Sequence, residues 1–255
     1  MNKKHFVLGG DINKSLNEGY QLNFQALFKD AYAITRKHYI ALITACILTL
    51  TILASCFTLL LDSSASLGEV GNMLINYVIT LLIAPPLLTG LQMMGIHHAI
   101  GLKTKPLNLF NYFNIFIKLS LASMMISLIS NIISMALTQT LGDLGFQLSI
   151  VFLLYLNMAF SLVYPLIAEK KLSAQMALKI SFKLVHKNLS QFTLMFMILA
   201  VLFVLSLLPY GLGLLLFIPF YFNLMGIVYR QICGIGVVAM EVGEDGNTPN
   251  DEFEA

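Results

Sequence analysis

Six apolar runs, each close to the length that crosses a bilayer, constrain this chain more than any motif in it. They occupy residues 39–61, 73–96, 117–137, 146–167, 192–208 and 214–229. A helix needs about 20 apolar residues to span the hydrocarbon core. Lipid offers the backbone no hydrogen-bond partners, so each run is predicted to be a transmembrane helix that satisfies its own amides. Composition agrees: 58% of the 255 residues are hydrophobic and 11% are charged, less than half the roughly 25% charged content of soluble domains. Such spans leave no room for a soluble catalytic domain.

Charge sets the orientation. All 15 Lys and Arg lie before the first run, between the second and third, between the fourth and fifth, or at and beyond the end of the sixth, counting Lys118 and Arg230 at run ends. The alternate loops, 62–72, 138–145 and 209–213, carry none, although they hold Asp62, Glu69 and Asp143. The positive-inside rule therefore predicts a multi-pass membrane protein with both termini cytoplasmic. A secretory signal requires an apolar stretch of about 7 to 15 residues, whereas the opening MNKKHFVLGGDINK offers only FVLGG, so the N-terminus is expected to stay on the cytoplasmic side.

Each outgoing run is led by a segment with helical periodicity. Phe24, Leu27, Phe28, Ala31 and Ile34 oppose Gln25, Lys29 and Arg36; Phe110, Phe113 and Ile117 oppose Asn111, Asn114 and Lys118. In the third, Leu178, Phe182, Val185 and Leu189 oppose Lys179, Lys183, His186 and Lys187. The expected fold class is an all-α membrane protein: six transmembrane helices as three hairpin repeats (about 24–99, 107–168 and 174–235), each preceded by a cytoplasmic amphipathic interfacial helix. Residues 1–23 form a cytoplasmic N-terminal segment, 24–235 a single domain, and 236–255 an acidic tail expected to be solvated and disordered. Interfacial helices place lysines against anionic head groups, so Lys179, Lys183 and Lys187 are the candidate contacts for an anionic lipid or a protein partner; the same lysines also serve simply to fix topology.

Within the runs, Ser120, Ser123, Ser127, Ser130 and Ser134 step by 3, 4, 3 and 4 along one stripe. Thr44, Thr51, Ser55 and Thr58 form a similar face in the first. Small hydroxylated residues let helix backbones approach, so packing is favoured over a solute path for the serines and for the amides Asn76, Asn157 and Asn223, which are expected to face a partner or cavity. No run contains Asp or Glu, which argues against transport coupled through a buried carboxylate. Pro85 and Pro86 in the second run and Pro219 in the sixth favour kinks.

Catalytic patterns are missing: there is no GxSxG, HExxH or GxxxxGK[ST]. The run GIGVVA at 234–239 matches GxGxxA in letters, but that pattern requires a preceding strand and a following helix. Cys46, Cys56 and Cys233 have no CxxC spacing, and His38, His97, His98 and His186, at the cytoplasmic boundary, have no carboxylate or thiol at ligand spacing. No metal, cofactor or nucleic acid is expected, and the histidines are read as interfacial solvating residues.

The stretch YPLIAEKKLSAQMALKISFKLVHKNLSQF, followed by LLPYGLGLLLFIPFYFNLMGIVYRQI, resembles bacterial inner-membrane proteins of the YciC type. The matching residues are Pro165, Ala177, Leu178, Ser181, Lys187, Asn188, Gly211, Gly213, Pro219 and Tyr229. That resemblance implies a six-helix protein to which no activity is assigned. The expected function is non-enzymatic, in envelope or membrane maintenance through lipid or partner contact; the alternative is a channel or uncoupled carrier for a small solute or lipid.

Overall fold

The structure is a computed structural model that describes residues 3–63 and 68–240. Strand β1 (Lys3–Leu8) and helix α1 (Ile12–Asn17) precede α2 (Phe24–Ser63) and α3 (Gly68–Ala99). A 3-10 helix (Pro106–Ile115) leads into α4 (Phe116–Leu141), which turns into α5 (Asp143–Ala159) and α6 (Val163–Glu169). Helices α7 (Ala174–Lys187), α8 (Leu189–Leu207) and α9 (Leu214–Cys233) follow, and β2 (Ile235–Met240) ends the described chain. Six stretches are long and apolar enough to cross a membrane, lying within α2, α3, the 3-10 helix plus α4, α5 to α6, α8 and α9. The protein is thus an all-α membrane protein at the level of its spans.

Helix α2 breaks at His38, whose φ of −115° and ψ of 19° are not helical, where the sequence places the junction between leading segment and span. In the second leading segment the winding is 3-10, opened by Pro106 at its first turn. Leu109, Tyr112 and Ile115 point inward at a period of 3; of the expected apolar face Phe113 also packs on the core, while Phe110 and Ile117 are exposed.

Where the prolines predict kinks, α3 and α9 run unbroken through Pro85, Pro86 and Pro219. The interruption falls instead in the fourth span, at 160–162. There Pro165 cannot donate to the carbonyl four residues earlier, and the Ala159 carbonyl accepts a 2.8 Å bond from Ser181 Oγ on α7. The break is held open by a partner on another helix.

Helices α3 and α9 form the most extensive contact in the bundle, and glycines decide how close they come. A Cβ on Gly95 would overlap the Phe222 carbonyl, and one on Gly226 would overlap the Gly95 carbonyl. In lipid, where apolar area gives helices little reason to associate, such backbone proximity is a main source of attraction. Around this crossing the buried core gathers Leu27, Met93, Ile96, Leu166, Ile227 and Tyr229.

The two chain ends meet. β1 and β2 pair antiparallel from Leu8 opposite Ile235 to Lys3 opposite Met240. Both therefore lie at the end of the bundle where α9 finishes. The acidic tail thus begins as a paired strand, with 241–255 outside the described residues, and Gly234 sits after a helix and before a strand, the reverse of a dinucleotide-binding turn.

Candidate functional site

At that end, the α3–α9 crossing carries a buried polar chain. Thr35 Oγ1 on α2 donates to the Ala31 carbonyl at 2.7 Å and so accepts from Asn223 Nδ2 of α9 at 3.0 Å. Asn223 Oδ1 is then free to accept from His98 Nδ1 of α3 at 2.9 Å, and His98 Nε2 accepts from the Thr104 hydroxyl at 2.8 Å. The directions are mutually consistent with a neutral His98 protonated at Nδ1. His38, at the break in α2, stacks on His98 with ring centroids 4.3 Å apart. Of the four histidines expected to solvate an interface, His38 and His98 are instead buried at the junction of three helices, while His97 and His186 are half-buried. Sequence reasoning missed this because nothing in the spacing of His38, His98 and Asn223 announces that α2, α3 and α9 converge there.

A second cluster centres on Glu169, the last residue of α6. Its Oε2 accepts from the Tyr229 hydroxyl at 2.8 Å, and its Oε1 accepts from the Gly236 amide at 3.1 Å and pairs with Lys170 at 3.0 Å. One carboxylate thereby joins the fourth span, the sixth span and β2. Arg230 donates to the Ala99 carbonyl, placing a cation on the orphan carbonyl end of α3.

The N-terminal segment is clasped against the same end. Gly10 N donates to the Arg230 carbonyl at 3.0 Å, and Ser15 Oγ to the Ile232 carbonyl at 2.7 Å. Tyr20 donates to the Leu184 carbonyl at 2.6 Å, and burial holds its hydroxyl pKa well above the ordinary tyrosine value, so it remains a donor. Lys187 Nζ reaches the Asn17 carbonyl at 2.9 Å, and Asn188 Nδ2 the Tyr20 carbonyl at 2.8 Å.

Helix α7 starts with Ser173 as its N-cap and turns Ala177, Leu178, Ser181, Leu184 and Val185 inward. Phe182 and Leu189, expected on its apolar face, are partly exposed. Between α7 and α4 lies an open groove of about 450 Å³. Met125 and Ile129 of α4 form one wall, Leu178 and Phe182 of α7 the other, and Phe160, from the break in the fourth span, also lines it. Gln175, Lys179 and Lys183, one turn apart on α7, edge it. Phe182 stacks on His186 at 3.9 Å, and His186 holds the Tyr155 hydroxyl at 2.7 Å.

The candidate residues thus separate. Lys179 and Lys183 edge the groove, whereas Lys187 is engaged with the N-terminal segment. Of the serine stripe, Ser120 is buried with no hydrogen-bond partner, and Ser123, Ser127, Ser130 and Ser134 are half-buried. In α2, Thr44, Thr51 and Thr58 bond back to their own helix. Asn157 is exposed and bonds the Leu153 carbonyl of its own turn, Asn223 belongs to the histidine network, and the Asn76 side chain lies outside the described residues. Among the described residues no group of three or more His, Cys, Asp or Glu is placed to hold a metal. Comparison with protein-family models, with curated proteins and with solved structures gives no match for this chain.

Proposed function

We propose that this is a bacterial inner-membrane protein of the YciC type, with both termini cytoplasmic and three hairpins each led by an interfacial helix. It performs no catalysis and serves envelope or membrane maintenance through contact with lipid or a protein partner. The observation that carries the reading is what the polar side chains at this end are used for. Glu169, Arg230, Ser181, Lys187, Asn188, Asn223 and Tyr229 all join one backbone element to another, and four of the seven, Ser181, Lys187, Asn188 and Tyr229, are among the residues that support the YciC resemblance. Side chains committed in this way hold a scaffold together and leave the outward face of α7 for contact.

A solute route along the serine stripe finds less support, because the groove beside α4 is lined by Met125 and Ile129 and by none of the five serines. Reconstitution into liposomes tests the choice. The expected result is release of small solutes at the rate of protein-free vesicles, both for the native chain and for Ser123→Leu plus Ser127→Leu. Flux above that rate, lost in the folded double variant, would overturn the proposal in favour of a channel or carrier.

A further inference from the structure

We propose that the groove between α4 and α7 binds one anionic glycerophospholipid from the surrounding membrane, its phosphate against Lys179 and Lys183 and an acyl chain between the walls formed by Met125, Ile129, Phe160 and Phe182. This deepens the lipid-contact reading above and rests on it. The groove is open and apolar within, with charge at one edge only. Its volume of about 450 Å³ falls in the range of about 300 to 1,000 Å³ typical of small-molecule sites. Met125 and Ile129 lie 9 and 13 residues into α4, which at 1.5 Å per residue is about 14 and 20 Å along the helix from its cytoplasmic start. That wall is at acyl-chain depth, while the lysines belong to the helix that leads into the membrane.

Charge selects the head group. The ion pairs among the described residues are Lys14 with Glu18 and Lys170 with Glu169, and neither Lys179 nor Lys183 meets a carboxylate in them. Both residues are exposed and neighbours one turn apart on the same helix. The outward residues of α4 beside the groove, Leu121, Met124, Leu128 and Ile132, are exposed and apolar, so the groove opens onto lipid. Basic pockets between helices on the cytoplasmic side are suited to anionic head groups. The broken fourth span supplies the remaining wall: a continuous helix would not leave Phe160 at a turn held by Ser181.

The chain contains no Trp, so one introduced indole is an unambiguous reporter. Phe182→Trp puts it in the groove wall, and Val204→Trp puts it on an exposed position of α8. Each full-length protein is reconstituted in phosphatidylcholine vesicles, with phosphatidylglycerol or phosphatidylcholine brominated on the acyl chains as quencher. Each lysine near the surface favours an anionic lipid by about fivefold, so two give a preference of up to about 25-fold. The expected result is quenching of F182W by brominated phosphatidylglycerol far beyond its mole fraction, while V204W follows mole fraction. Adding Lys179→Gln and Lys183→Gln should bring F182W back to mole fraction. The proposal is overturned if F182W with both lysines intact already follows mole fraction, a comparison that needs no lysine variant to fold, or if the preference survives in K179Q/K183Q. Loss of the lipid preference without solute flux would leave the non-catalytic membrane reading standing; flux would remove that reading whatever the lipid preference.

Discussion

Replacing Gly226 or Gly95 by alanine tests whether the bundle is built on the α3–α9 crossing. A methyl group at Gly226 meets the Gly95 carbonyl, and one at Gly95 meets the Phe222 carbonyl and the Asn223 amide. All of these are backbone atoms, so no side chain can rotate away and the helices must separate. Overpacking of this kind costs about 1 to 3 kcal/mol, and the upper end applies when backbone has to move. Against this, alanine gains about 1 kcal/mol over glycine inside a helix, leaving a net loss of about 2 kcal/mol for each variant. The two substitutions push on the same interface, so the double variant should lose clearly less than the sum. Gly101→Ala is the control: nothing lies within 4 Å of its Cβ, but φ is +85°, so its cost of about 1 to 2 kcal/mol is purely conformational and should add to either of the others. Reversible unfolding in mixed micelles, followed by circular dichroism, measures all four. If G95A and G226A matched or exceeded native stability, helix propensity alone would account for them and the close crossing would be refuted.

Asn223→Leu should cost about 1 to 3 kcal/mol, because it strips the acceptor from the buried His98 Nδ1–H. Adding His98→Phe removes the orphaned donor, so the double variant should be the more stable of the two in the same unfolding assay; a further loss would sink the assigned directions of the network. Glu169→Ala removes the acceptor of both Tyr229 and Gly236. Hydrogen exchange at 235–240 should therefore rise in E169A and change little in Tyr229→Phe, which leaves the Gly236 bond intact; equal protection in E169A and the native chain would contradict the role given to Glu169.

The spans were legible because length and hydropathy are enforced by the bilayer itself. What lies inside was less so, for the same reason. In water an apolar stripe marks the buried face, but lipid is as apolar as leucine and gives no such sign. On α7 the periodicity pointed to Leu178, Phe182, Val185 and Leu189; Leu178 and Val185 are buried, but Ala177 and Ser181 go inward beside them, Phe182 sits at the groove and Leu189 is exposed. Small residues there admit a close neighbour, and Ser181 satisfies a carbonyl that the broken helix exposes. Asn223 was recognisable as an amide needing a partner, yet the partner is 125 residues away and becomes adjacent only through the glycine crossing. Helix α3 continues through Pro85 and Pro86 and α9 through Pro219, while the break lies before Pro165, where Ser181 of a second helix offers a donor.

The three leading segments, alike in sequence pattern, part company in what their cations do. In the first, Lys29 and Arg36 are exposed beside an inward face of Leu27, Ala31 and Thr35, and Thr35 is committed to the histidine network. The second winds as a 3-10 helix with no basic residue between Pro106 and Ile115, and the nearest exposed cations, Lys105 and Lys118, lie 13 residues apart on either side of it. Only the third combines a full α-helix, cations at one-turn spacing and an adjoining cavity. Lys187 at its end, itself exposed, bonds the Asn17 carbonyl and ties the helix to the N-terminal segment, while Lys179 and Lys183 edge the groove. The same anchoring, together with Ser181 on Ala159, fixes the distance between α7 and the break at 160–162. The residues that tie α7 to its neighbours, Ser181 and Lys187, thus share a helix with Leu178, Lys179, Phe182 and Lys183, which form the groove's wall and edge opposite Met125 and Ile129.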